Sequence, residues 1–80
     1  MTLIELAKTC RSKETNVCVT KIMHRKSDWN YWNMKDLSYK TIDDILYRSS
    51  DRDAKLEVKN FGVIGGLRGS LTIEVEEWDD

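Results

Sequence analysis

Near the N-terminus apolar residues recur with a helical period, and further along the chain they switch to alternation. Leu3, Leu6, Ala7 and Cys10 stand at i, i+3, i+4 and i+7, the spacing that lines one face of a helix. Thr2-Leu3-Ile4-Glu5 has the form of a capping box, so the pattern predicts a helix over about Leu3 to Arg11. Val17 to Met23 is rich in β-branched residues and reads as a strand. Its two faces, Val17, Val19, Lys21 and Met23 against Cys18, Thr20, Ile22 and His24, are both mixed, which suits a central position in a sheet.

Arg25-Lys26-Ser27-Asp28 has turn character, and Trp29 to Met34 alternates apolar with polar residues as a returning strand does. Ser38 or Thr41 then opens a second helix, because Thr41-Ile42-Asp43-Asp44 repeats the hydroxyl-to-carboxylate spacing and Ile42, Ile45 and Leu46 make a buried stripe. Ser49-Ser50-Asp51-Arg52-Asp53 breaks that period. Lys55 to Phe61 and Ser70 to Trp78 alternate again, the latter with Leu71, Ile73 and Val75 inward and Thr72, Glu74 and Glu76 outward. Gly62, Gly65, Gly66 and Gly69 mark the loop that joins these two strands into a hairpin, in a register that sets Lys55 or Lys59 opposite Glu74.

The order α-β-β-α-β-β predicts an α+β domain: an antiparallel sheet of about four strands with two short helices on one face. The 80 residues leave room for one domain, residues 1–80, with one small core. No linker or targeting segment is read in it, and no apolar run approaches the ~20 residues that span a bilayer, which predicts a cytoplasmic protein without membrane contact. Cys10 and Cys18 read as free thiols of a reducing compartment.

The net charge of −1 hides an asymmetry: residues 1–40 hold eight Lys and Arg against four Asp and Glu, and residues 41–80 hold five against ten. A basic front and an acidic back either pair within the molecule or offer one half to a charged partner. The acidic end places Glu74, Glu76, Glu77, Trp78, Asp79 and Asp80 together, and an aromatic ring among carboxylates suits anchoring on a basic partner surface. Ile64, Leu67 and Arg68 at the glycine-loop tip make a second protein-contact candidate. The segment from Lys21 to Lys40 interleaves cations with rings, and Lys21, Arg25, Lys26, Trp29, Tyr31 and Trp32 form the combination that single-stranded nucleic acid uses, charge for phosphates and rings for bases.

Catalytic chemistry has little to build on. His24 is the one histidine, beside Arg25 and Lys26, and Cys10, Cys18 and His24 match no compact zinc framework. The glycine loop precedes a strand, whereas a phosphate loop must open a helix. The sequence therefore predicts a non-enzymatic module with no cofactor and no metal, one that docks on a larger protein and modulates or inhibits it. Phage-encoded inhibitors of host defence and immunity proteins share this general type. Single-stranded nucleic-acid binding is the alternative, and the proline-free final strand offers an edge for homodimerisation.

Overall fold

Hydroxyl caps start the helical layer. In the computed structural model, which describes residues 1–64 and 70–79, the Thr2 hydroxyl accepts from the Glu5 N–H and the Glu5 carboxylate accepts from the Thr2 N–H. This opens α1 (Leu3–Thr9), whose buried residues are the predicted Leu3, Leu6 and Ala7. The helix stops short of Arg11 because the Lys13 ammonium folds back and donates to the carbonyl oxygens of Ala7, Lys8 and Cys10, groups that a helix end leaves without partners. Thr41 and Asp44 repeat the reciprocal cap at the start of α2 (Ile42–Arg48).

The stretch from Ser49 to Asp53, expected as a break, contains a third helix. Ser50 accepts from the Asp53 N–H and opens the single turn α3 (Asp51–Ala54), so the layer has three helices where two were expected. A four-residue helix with no buried residue has no apolar stripe for periodicity to detect. The Tyr39 hydroxyl donates to Asp53 Oδ2 at 2.7 Å and ties this turn to the connection that leaves the sheet after Leu37. Burial, with that carboxylate beside it, pushes the Tyr39 phenol up to about 12.

The sheet contains β1 (Val17–Arg25), β2 (Asp28–Leu37), β3 (Glu57–Ile64) and β4 (Ser70–Asp79), in the order β2-β1-β4-β3. Both expected hairpins form, β1 with β2 and β3 with β4. The sheet is nevertheless mixed and not antiparallel throughout, because β1 and β4 pair in parallel at its centre. The reason lies in the connection: the helical segment α2–α3 carries the chain back to the end of the sheet where β2 began. β3 therefore runs in the direction of β2, and β4 in that of β1.

Two further expectations are corrected. β4 is an inner strand flanked by β1 and β3, so it presents no edge for a second copy; the edges are β2 and β3. Lys59 does not face Glu74. A bulge between Val58 and Asn60 takes it out of register, Asn60 faces Glu74, and Lys59 reaches Glu76 at 3.2 Å instead.

The core lies between the helices and one face of the sheet: Leu3, Leu6 and Ala7 of α1, Ile42 and Ile45 of α2, Leu56, and Val17, Val19, Ile73 and Val75 of the two central strands. Cys10 is half-buried and Cys18 exposed, and neither is bridged. Ile45 and Thr41 test the two contributions to this layer. Ile45→Ala removes a fully buried side chain and should cost about 2–5 kcal/mol of unfolding free energy. Thr41→Ala, which removes only a cap, should cost about 1 kcal/mol. Urea denaturation measures both, and equal losses would contradict this division.

The uncovered sheet face as candidate functional site

Among the described residues the buried ones of the sheet point toward the helices, so strand alternation assigns the other residues of β1 and β4 to a face that none of the three helices covers. The register arranges that face in three rows. Trp32, His24 and Trp78 lie side by side across β2, β1 and β4, followed by Met34, Ile22 and Glu76, and then Asp36, Thr20 and Glu74. One end of the face is thus aromatic and aliphatic, and the other is acidic. Trp32 is 62% exposed, Met34 51% and Trp78 48%, a degree of exposure unusual for three large apolar side chains so close together.

The first row and its junction with the second are held by specific contacts. The His24 ring stacks on Trp78 with centroids 4.3 Å apart and planes 16° from parallel. Glu76 accepts from the Trp78 indole N–H, faces the Lys59 ammonium at 3.2 Å and lies 3.6 Å from His24 Nε2. The indole hydrogen bond, joined by Lys59, holds the Glu76 carboxyl below the usual range against the opposing effect of burial. Thr20 donates to Asp36 Oδ1 at 3.3 Å, and the Glu74 carboxylate has neither an ion pair nor a hydrogen bond among the described residues.

The acidic candidates are therefore split between two faces. Glu74, Glu76 and Trp78 look away from the helices, as expected. Glu77 points the other way, pairing with Lys21 at 3.4 Å and with Arg52 of α3. The acidic residues thus do not present one shared surface, since alternation sends Glu77 to the helix side and both Glu76 and Glu77 are matched by this chain's own cations. The backbone oxygen of Asp79 accepts from the Lys26 N–H at 2.7 Å. Asp79 also lines a cleft of about 160 Å³ with Met23, His24, Arg25, Tyr31 and Glu77. Of the loop-tip candidates, Leu67, Arg68 and the side chain of Ile64 lie outside the described residues.

The nucleic-acid candidates do not form one surface either. Lys21 is buried and ion-paired, and the Arg25 guanidinium sits over the Tyr31 ring at 4.1 Å. Trp32 belongs to the uncovered face, while Tyr31, the next residue along β2, lines the cleft with Met23 and Arg25. Lys26 is exposed in the turn, and Trp29 is 83% exposed in the irregular stretch that follows it.

Ile22, His24 and Met34 join the site without having been singled out as a contact set. The signal was present in the mixed character of both faces of β1, which implied that its second face also meets apolar neighbours. Chemically the arrangement suits contact more than reaction. Cys18 shares the strand and face of His24 but lies six residues away, roughly 20 Å along an extended chain, too far for a nucleophile and its base. Among the described residues no group of three or more His, Cys, Asp or Glu is placed to hold a metal ion, and no helix is long and apolar enough to cross a membrane. Compared with known protein families, characterised proteins and solved structures, the chain matches none.

Glu76 makes stability pH-dependent in a defined direction. A carboxyl whose folded pKa is lowered contributes stability above its unfolded pKa of about 4.3, and that contribution is lost as pH falls through the folded value. Urea titrations at successive pH values should show stability declining on acidification. The decline should be shallower in Glu76→Gln, and identical pH slopes would refute the assignment.

Proposed function

We propose that the chain is a non-enzymatic, cytoplasmic protein-binding module that docks on a larger protein and modulates or inhibits it, with the uncovered sheet face as its contact surface. The observation that carries this reading is the cluster of Trp32, Met34 and Trp78 on the side of the sheet opposite the helices, each about half or more exposed. Aromatic and methionine side chains at the centre with a polar rim are the composition of protein contact surfaces. Asp36 and Glu74 form that rim at one end, so the complementary partner surface has an apolar centre flanked by Lys or Arg. Inhibition of a host or toxin protein is an analogy of type and gives the reading its biological setting.

Nucleic-acid binding is the second reading, favoured by Trp29 and Trp32 standing outside the core, where rings can stack on bases. The charge around Trp32 opposes it. Asp36, Glu74 and Glu76 repel phosphates, and Lys21 is committed to Glu77.

The test uses the immobilised chain against native extract, followed by binding kinetics with the protein it retains. Trp32→Ala combined with Met34→Ala should weaken that binding about 10-fold or more. Both side chains are exposed, so folding stability should stay within roughly 0.5 kcal/mol. Lys35→Ala, on the opposite face, should bind as the unaltered protein does. Asp36→Lys with Glu74→Lys should slow association and reverse its salt dependence. Unchanged binding by the Trp32/Met34 double variant would overturn the reading, and salt-sensitive quenching of tryptophan fluorescence by a single-stranded oligonucleotide would replace it with the second.

A further inference from the structure

The two edges of the sheet are not equally finished. Along β3 the N-terminal residues act as a partial fifth strand: Val58 N–H donates to Met1 O at 2.8 Å, Leu3 N–H donates to Leu56 O at 2.9 Å, and Thr2 bridges to Glu57. A bulge in β3 further disrupts that edge. The outer side of β2 has no such cover among the described residues. Two of its amides settle for the strand's own side chains, Asn30 N–H donating to Asp28 Oδ1 at 3.2 Å and Met34 N–H to Asn33 Oδ1 at 2.9 Å. These acceptors are on exposed residues and are free to swing aside. β2 is ten residues long, has no proline, and its charged residues are confined to Asp28, Lys35 and Asp36, so the usual protections of an edge are thin.

We infer that two copies of the chain pair antiparallel through their β2 edges, with Asn33 on the two-fold axis. The sequence of β2 is complementary to itself in this register. Trp32 of each copy lies opposite Met34 of the other on the uncovered face, an aromatic–thioether contact made twice by symmetry. Lys35 comes beside Tyr31 of the second copy, and no like charges meet. A shift of one residue would oppose uncovered-face side chains to helix-face ones. Placing Trp32 on the axis would set Asp28 against Asp36 of the second copy, and placing Met34 there would set Trp32 against Asp36. The result is a continuous sheet built from two four-stranded halves, with the Trp32 and Met34 pairs at its middle. This pairing uses the strand edge, whereas the proposed docking uses the face, so each can fail without the other.

Sedimentation equilibrium of the full chain, over a concentration series reaching about 1 mM, tests the pairing. The mass should move from 9.4 kDa toward twice that value. Asn33→Lys and Asn33→Asp each place like charges across the axis and should hold the chain at the single-copy mass. Mixing the two variants in equal amounts should restore the double mass, because Lys then faces Asp. Circular dichroism establishes that both variants keep the fold, as befits an exposed position. A wild-type chain that stays at the single-copy mass throughout would overturn the inference, and so would an association that both single variants retain.

Discussion

The parallel pairing of β1 with β4 is the interaction on which the rest of the structure depends. Each hairpin could form locally, but only this pairing makes them one sheet, and it exists because α2–α3 returns the chain across the helical layer before β3 begins. It sets Val19 opposite Ile73, with Val17 and Val75 on the same side of the sheet, where α1 and α2 cover them. Burying such a side chain contributes about 1.5–3 kcal/mol, several times what a cross-strand pair on an exposed face supplies. The helix-facing side therefore decides the arrangement, and the uncovered face inherits its neighbours from it.

That inheritance explains where the aromatic residues stand. The core is aliphatic, with Leu, Ile, Val and Ala from two helices and two strands together with Leu56 of the α3–β3 connection, and none of the three tryptophans belongs to it. In so small a domain, large rings would ordinarily be the cheapest way to enlarge a core. Here Trp32 and Trp78 stand on the strand side that no helix covers, flanking His24 across three strands. Surface of this kind gains free energy when something covers it, and that physical asymmetry underlies the docking reading.

Much of the fold was legible because its signals are local. Capping boxes at Thr2 and Thr41, the stripes of α1 and α2, and the alternation of β4 need only a few neighbouring residues to be read. What escaped depends on distant partners or on very short range. The direction of β1 against β4 is set by a crossover spanning the middle of the chain, which no window of sequence reports. α3 is too short to show a period, and the bulge at Lys59 changes which residues face one another without changing the alternation on either side. The acidic end was read correctly as alternating. Its inward Glu77, however, meets Lys21 and Arg52, residues far away in sequence, and the Lys21 pair partly resolves within the molecule the charge split between the two halves of the chain.

Those internal ion pairs also answer a problem that a parallel pair poses. Hairpin strands take their register from the turn between them, but β1 and β4 have no turn in common, and alternation alone would tolerate a slip of two residues. Such a slip would keep Ile73 and Val75 facing the helices, so hydrophobic burial discriminates weakly against it. Side chains at one end of the pair discriminate more strongly. Lys21 is largely buried and needs Glu77 within reach, since an unpaired ammonium in that position costs several kcal/mol. On the opposite face the His24–Trp78 stack and the approach of His24 Nε2 to Glu76 require the same alignment. A buried ion pair adds little to net stability against an apolar alternative, but here it penalises the competing register. The same alignment that satisfies Lys21 brings Trp78 alongside His24 and so completes the uncovered face.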